Sequence, residues 1–182
     1  NRLLKYSLNF IIVLGLPCLT GLNVIARTLI YVLAGEEYMG ASVSLHILTI
    51  SLACSFIGGW IGNIMMLPAG RENICLKSGI ISAIVNVVLN IFLIPLFGIN
   101  AAATTTAISE MMGIIIKIPY IDKKIKIEGL KEMLKAPVIG SIEIAVIGIL
   151  ASHFLKSEYN IFLVTIILSM VAYMVTLIVL KN

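Results

Sequence analysis

The sequence predicts an all-α integral membrane protein with six transmembrane helices. Two observations carry this: six apolar stretches of bilayer-spanning length, and a one-sided distribution of Lys and Arg between them. A hydrocarbon core about 30 Å thick takes about 20 mostly apolar residues to cross as a helix. The stretches are 6–26, 41–67, 74–97, 99–118, 136–154 and 159–180. Hydrophobic residues make up 60% of the chain and charged residues 12%, against about 25% charged in an ordinary soluble domain. Lipid admits only helices or closed barrels, and continuous apolar runs do not alternate as barrel strands do.

The first span, 6–26, holds Pro17 near Gly15 and Gly21, which predicts a kink or a weakly bonded turn. Arg27 follows it, where its stem can snorkel or its guanidinium can meet an anionic headgroup. In the second span Ser51, Ser55, Gly59 and Asn63 recur every fourth residue and share one stripe. Gly58 and Gly62 form a small-xxx-small pair suited to close helix packing. His46, in the outer part of this span, is either a hydrogen-bonded packing residue or a group titrating near neutral pH.

The third span repeats the pattern with Ser78, Ser82, Asn86 and Asn90. Such stripes face the protein interior, as helix packing or as the lining of a wet cavity. Glu110 lies near the middle of the fourth span, with Thr106 one turn before it and Gly113 one turn after. A charge there costs about 2.5–3.5 kcal/mol on insertion scales, so Glu110 is expected to be neutral or paired. It either couples a proton to movement or only hydrogen-bonds a neighbouring helix.

The connector 122–135 sets Ile127, Leu130, Met133 and Leu134 at helical spacing beside Lys123, Lys124, Lys131 and Lys135. This predicts a short interfacial amphipathic helix against membrane lipid, with a solvated basic connector as the alternative. In the fifth span Glu143, six residues past Pro137 and nearer the cytoplasm, is a second acid for ion coupling. The sixth span rests on length and apolar content. Pro68, Pro95, Pro119 and Pro137 sit at span ends, where a missing N–H costs least.

With a cytoplasmic N-terminus, the inner side holds Arg2, Lys5, Arg71, Lys77, Lys117, Lys123, Lys124, Lys126, Lys131, Lys135 and Lys181, and the outer side only Arg27 and Lys156. This asymmetry orients all six spans, with both ends of the chain cytoplasmic. It also accounts for the net charge of +4, so no nucleic-acid partner is inferred. Cys18, Cys54 and Cys75 imply no disulfide framework. The chain starts at Asn1 without an initiator Met or a signal-peptide pattern, which predicts a piece of a longer protein.

Enzyme signatures are missing. Asp122 is the single Asp, so the two membrane-embedded Asp of an intramembrane aspartyl protease are not present. No Gly-x-Ser-Gly, His-Glu-x-x-His or phosphate-binding glycine loop occurs, and Glu36 with Glu37 is a thin version of a glycosyltransferase's outer acidic loop. The chain is therefore expected not to be an enzyme and to need no cofactor or metal.

Several stretches resemble one family. Leu33-Ala34-Gly35-Glu36-Glu37-Tyr38, with Ala41 after it, resembles the turn between the seventh and eighth helices of polysaccharide flippases. Asn86 to Gly98 resembles their ninth helix, Ala101 to Thr104 with Ser109 and Glu110 their tenth, and Pro68 to Asn73 the turn after the eighth. Asn100 departs from the pattern, which has a second Gly there. The resemblance, to oligosaccharide and polysaccharide flippases of the multidrug/oligosaccharidyl-lipid/polysaccharide exporter superfamily, spans nearly the whole chain. It implies one six-helix lobe of a two-lobed flippase in a bacterial cytoplasmic membrane, with the N-terminal lobe missing. The implied substrate is an undecaprenyl-pyrophosphate-linked oligosaccharide, flipped outward for capsule, O-antigen or exopolysaccharide assembly by alternating access. On that reading Asn86, Asn90 and Asn63 line the cavity, Arg27 meets a phosphate, and Glu110, Glu143 and His46 serve coupling to a proton or sodium gradient. The alternatives are a multidrug/cation antiporter of the same superfamily and a non-transporting membrane scaffold.

Overall fold

The computed structural model describes residues 2–122, 125 and 129–180. Nearly all of them are helical: α1 (Arg2–Val24), α2 (Ala26–Ala34), α3 (Ala41–Trp60), α4 (Glu72–Phe97), α5 (Ile99–Lys117), α6 (Leu130–Phe154) and α7 (Glu158–Val179). Six helical stretches are long and apolar enough to cross a membrane: Arg2–Val24, Ala41–Ala69, Glu72–Phe97, Ile99–Tyr120, Leu130–Phe154 and Glu158–Val179. No strand occurs among the described residues.

Burial is inverted relative to a water-soluble domain. The buried apolar residues are mostly small, such as Ala26, Ala101, Ala103, Ala107, Ala136 and Ala151, and Thr105, Thr165 and Ser78 are buried with them. Large apolar residues such as Leu76, Ile84, Ile91, Ile149, Ile167 and Val175 are exposed. Small residues let helix backbones approach closely, while apolar bulk suits lipid contact. The pattern suggests a multi-pass membrane protein.

The chain divides into two compact units. The first, Asn1–Leu8 with Val43–Glu128, contains the start of α1 together with α3, α4 and α5. Here α5 buries Ala101, Thr105, Ser109 and Gly113 on one face and Ala103 and Ala107 on the other; at about 100° per residue these faces are opposite. Thr105 donates to Asn90 Oδ1 of α4, and Ser44 of α3 donates to Asn100 Oδ1 at 2.7 Å, so α5 is held on both sides. The turn between α4 and α5 is made at Gly98, whose φ of +60° suits glycine. Trp60 donates from Nε1 to Ser7 Oγ at 2.9 Å.

The second unit, Asn9–Ser42 with Gly129–Asn182, contains the rest of α1, α2, α6 and α7. α6 buries Met133, Ala136, Pro137, Gly140, Ser141, Ile144, Gly148 and Ala151, and α7 buries Thr165, Ser169, Tyr173 and Thr176. Both sets follow the three- and four-residue spacing of one helix face. A Cβ on Gly148 would lie 1.9 Å from Val24 Cγ1, so only glycine admits α1 at that point.

Several boundaries differ from the sequence expectation. Helix continues past the predicted end of the first span: Ile25, at φ −91° and ψ 4°, interrupts it, but backbone bonds Ile25 N–H to Gly21 O and Leu29 N–H to Ile25 O bridge the joint. Arg27 therefore sits in the first turn of α2 rather than beyond a helix end. α1 runs through Pro17 as one helix. The second span ends as a π-helical segment, Ile61–Met66, followed by a 3-10 turn, Leu67–Ala69. Among the described residues no separate interfacial helix forms: Leu130–Lys135 is the first part of α6, which continues through Pro137. Residues 123, 124 and 126–128 of that expectation lie outside the described residues.

Candidate functional site

A polar cavity of the first unit lies along α4 and α5 near the end of α3. It is a cavity of about 510 Å³ lined by Ser78, Ser82 and Asn86 of α4, Thr106, Ser109, Glu110, Gly113 and Lys117 of α5, and Gly58. The four-residue repeat of α4 puts Ser78, Ser82 and Asn86 on one stripe, as the sequence predicts. Glu110, Gly113 and Lys117 share the facing side of α5.

Two groups in the cavity carry unused polar capacity. Among the described residues no hydrogen bond or ion pair reaches the half-buried Glu110 carboxyl. Ser82 Oγ is buried without a hydrogen-bond partner. A Cβ on Gly113 would stand 2.9 Å from that oxygen, so glycine at 113 gives the hydroxyl its space.

Lys117 closes the cavity at the end of α5. Its Nζ donates to the Gly58 carbonyl at 3.2 Å and would lie 3.8 Å from a Cβ on Gly62. The Gly58–Gly62 pair thus makes room for an ammonium group as well as for Ile114, which would stand 3.3 Å from a Cβ on Gly58. Gly58 lies three residues before the π segment that begins at Ile61, and such segments often occur at functional sites. Two turns, about 10 Å of helix rise, separate Glu110 from Lys117. Between them the cavity offers hydroxyls and the Asn86 amide, a set able to bind a hydroxyl-rich solute.

The structure brings together only part of the predicted site. Asn86 and Glu110 share the cavity. Asn90 does not line it: its Nδ2 donates to Asn86 Oδ1 at 2.9 Å and its Oδ1 accepts from Thr105, so its amide is used in packing. Asn63 is exposed on the π segment and lies outside the cavity. Ser55 of the same stripe is already exposed within α3, so the stripe leaves the packed face before the π segment begins; a four-residue repeat drifts by about 40° per step around an α-helix. His46 is exposed on α3 and also lies outside it.

Arg27 and Glu143 belong to the second unit. Glu143 Oε2 accepts a hydrogen bond from Thr176 Oγ1 at 2.6 Å, an α6–α7 contact. Arg27 lines a separate cavity with Tyr31, Glu36 and Glu158. Lys117 was legible only as one of the inner charges; the signal that marks it as a site residue is its position seven after Glu110 on an apolar helix. Tyr173 and Thr176 were missed altogether, although Thr165, Ser169, Tyr173 and Thr176 repeat at the spacing read in the third span.

No family model, curated protein or solved structure matches the chain.

Proposed function

We propose that this chain is the C-terminal lobe of a membrane flippase that exports undecaprenyl-pyrophosphate-linked oligosaccharide by alternating access. The carrying observation is the cavity with Asn86, Ser82 and Glu110, whose carboxyl has no hydrogen-bond or ion-pair partner among the described residues, set among helices rich in exposed apolar side chains. Polar groups in such surroundings are costly unless bonded. Leaving two of them, Glu110 and Ser82, without partners among the described residues around one cavity supports a role in holding a polar solute. The resemblance of 33–41, 68–73 and 86–110 to polysaccharide flippases supplies the substrate class, the partner lobe and the bacterial cytoplasmic membrane. The Lys and Arg asymmetry supplies the orientation, with both ends cytoplasmic. The activity is transport without covalent chemistry, and Glu110 is the group proposed to exchange a proton during it.

Glu110→Gln in the full-length protein tests this reading. The amide keeps size and hydrogen bonding but carries no exchangeable acid proton. Surface polysaccharide in a complemented flippase-null strain, normalised to membrane protein level, should fall about tenfold, equivalent to about 1.4 kcal/mol on the transport barrier. Wild-type output from normally inserted Glu110→Gln would remove the coupling role. Failure of the wild-type protein to restore polysaccharide would remove the flippase reading itself.

A further inference from the structure

The second unit carries a cavity of about 610 Å³ at the helix ends, formed by Arg27 and Tyr31 of α2, Glu36, Met39, Gly40 and Ser42 of the turn that follows, and Glu158 in the first turn of α7. Arg27 and Tyr31 are four residues apart and share one face of α2. Gly35, at φ +89°, turns the chain so that Glu36 returns toward them. Tyr31 is braced edge-on by Tyr159, with ring centroids 6.0 Å apart.

The charges in this cavity are kept apart. Among the described residues no ion pair within 4.0 Å joins Arg27 to Glu36 or Glu158. One cation and two anions therefore face the same opening without neutralising one another. A bare anion would meet two carboxylates, and a bare metal ion would meet a guanidinium; no group of three or more His, Cys, Asp or Glu is placed to hold a metal among the described residues. A zwitterion fits both signs at once. Phosphate oxygens take the fork of guanidinium donors, and an ammonium takes the carboxylates.

From this geometry we infer that the cavity binds a phosphoethanolamine group, presented by the membrane lipid phosphatidylethanolamine. Its position supports that source: Glu158 opens the spanning stretch Glu158–Val179, and the other lining residues fall between the end of the stretch Arg2–Val24 and the start of Ala41–Ala69, where lipid headgroups lie. Ethanolamine is favoured over choline because its ammonium carries N–H donors for Glu36 and Glu158. A quaternary ammonium has none and calls for an aromatic cage, whereas the single ring lining this cavity is Tyr31. The inference rests on the helices lying in a bilayer and not on transport, so a loss of flipping leaves it standing.

The test is lipid retention by the full chain reconstituted in mixed phosphatidylethanolamine and phosphatidylcholine nanodiscs, read by native mass spectrometry after release. The expected result is preferential retention of phosphatidylethanolamine. Glu158→Gln should reduce the preference about tenfold, the loss of one charge-assisted contact to the ammonium, whereas Arg27→Gln, at the phosphate that both lipids carry, should reduce the total lipid retained about tenfold. Arg27→Lys, which keeps the charge, should retain most of it and guards against a folding defect in Arg27→Gln. Equal retention of the two lipids, a preference that survives Glu158→Gln, or total retention unchanged by Arg27→Gln would overturn the assignment. Soluble phosphoethanolamine distinguishes the sources: binding of it without any preference between the lipids would assign the cavity to a free solute and overturn the lipid source.

Discussion

Pro17 removes a backbone donor from the middle of α1, and the structure shows what replaces it. In an α-helix the N–H of residue 17 would bond the carbonyl of residue 13; proline has none. The Val13 carbonyl instead accepts a hydrogen bond from Tyr173 Oη of α7, at 2.5 Å. Tyr173→Phe deletes that donor and keeps the ring. Interhelical hydrogen bonds in membranes average about 0.6 kcal/mol and reach about 1.7; with no helical alternative for the carbonyl, the cost here should lie near the upper end, about 1.5 kcal/mol. Pro17→Ala restores the helical N–H, and in that background Tyr173→Phe should cost only about 0.5 kcal/mol. The double-mutant cycle cancels the packing lost with the proline ring. SDS-driven unfolding in mixed micelles, followed by circular dichroism, measures all four variants. A coupling of about 1 kcal/mol is expected. Additivity within about 0.3–0.5 kcal/mol, the usual scatter for independent sites, would show that the phenol does not stand in for the missing N–H.

Two further predictions concern packing and orientation. A Cβ on Gly140 would stand 2.2 Å from Tyr173 Cδ2 and 2.6 Å from Cε2, so Gly140→Ala should destabilise by about 1–3 kcal/mol through overpacking. Gly79→Ala, with nothing within 4 Å, should be close to silent in the same unfolding assay. In a cysteine-free background, Glu37→Cys and Ser157→Cys should react with an impermeant thiol reagent from outside intact cells while Lys131→Cys stays protected. Labelling at Lys131→Cys would reverse the orientation read from the Lys and Arg distribution.

Apolar run length was enough to locate all six long helices, because a bilayer-length stretch of Ile, Leu and Val with few charges has little other way to satisfy its backbone. Boundaries failed where one residue was given too much weight. The spanning stretch ends at Val24, close to the expected 26, but the apolar Leu29–Ala34 segment beyond Arg27 is a competent helix former and extends the chain as α2. Pro137 was read as a start, yet α6 begins at Leu130. The four-residue stripe in the second span does not stay on one face: Ser51 is buried but Ser55 and Asn63 are exposed, because such a repeat drifts by about 40° per step around an α-helix. Side-chain partners were out of reach because they depend on neighbours distant in sequence: Lys117 with Gly58, Ser44 with Asn100, Tyr173 with Val13. A polar residue at helical spacing announces that it faces protein, but not which helix will answer it.

Hydrogen-bond satisfaction separates these polar residues by role. Asn90, Thr105, Ser44, Asn100, Glu143, Thr176 and Tyr173 all have partners, most on another helix of the same unit. Burying such groups costs little once both donor and acceptor are matched, so they need no function beyond holding helices in register. Ser82, Ser141, Thr165 and Ser169 have buried hydroxyls without a partner among the described residues; Thr165 and Ser169 line a cavity made mostly of apolar side chains, whereas Ser82 lines a polar one together with Glu110, which also has no such partner among them. Packing alone would favour Ala or Leu at these positions, which removes the desolvation cost at no loss of contact. On the proposed reading, an acid and a hydroxyl stand there because a solute enters the cavity and completes their bonding. For that reason Glu110, and not the better-bonded Glu143, is the carboxyl whose replacement by an amide should alter transport while leaving the helices in place.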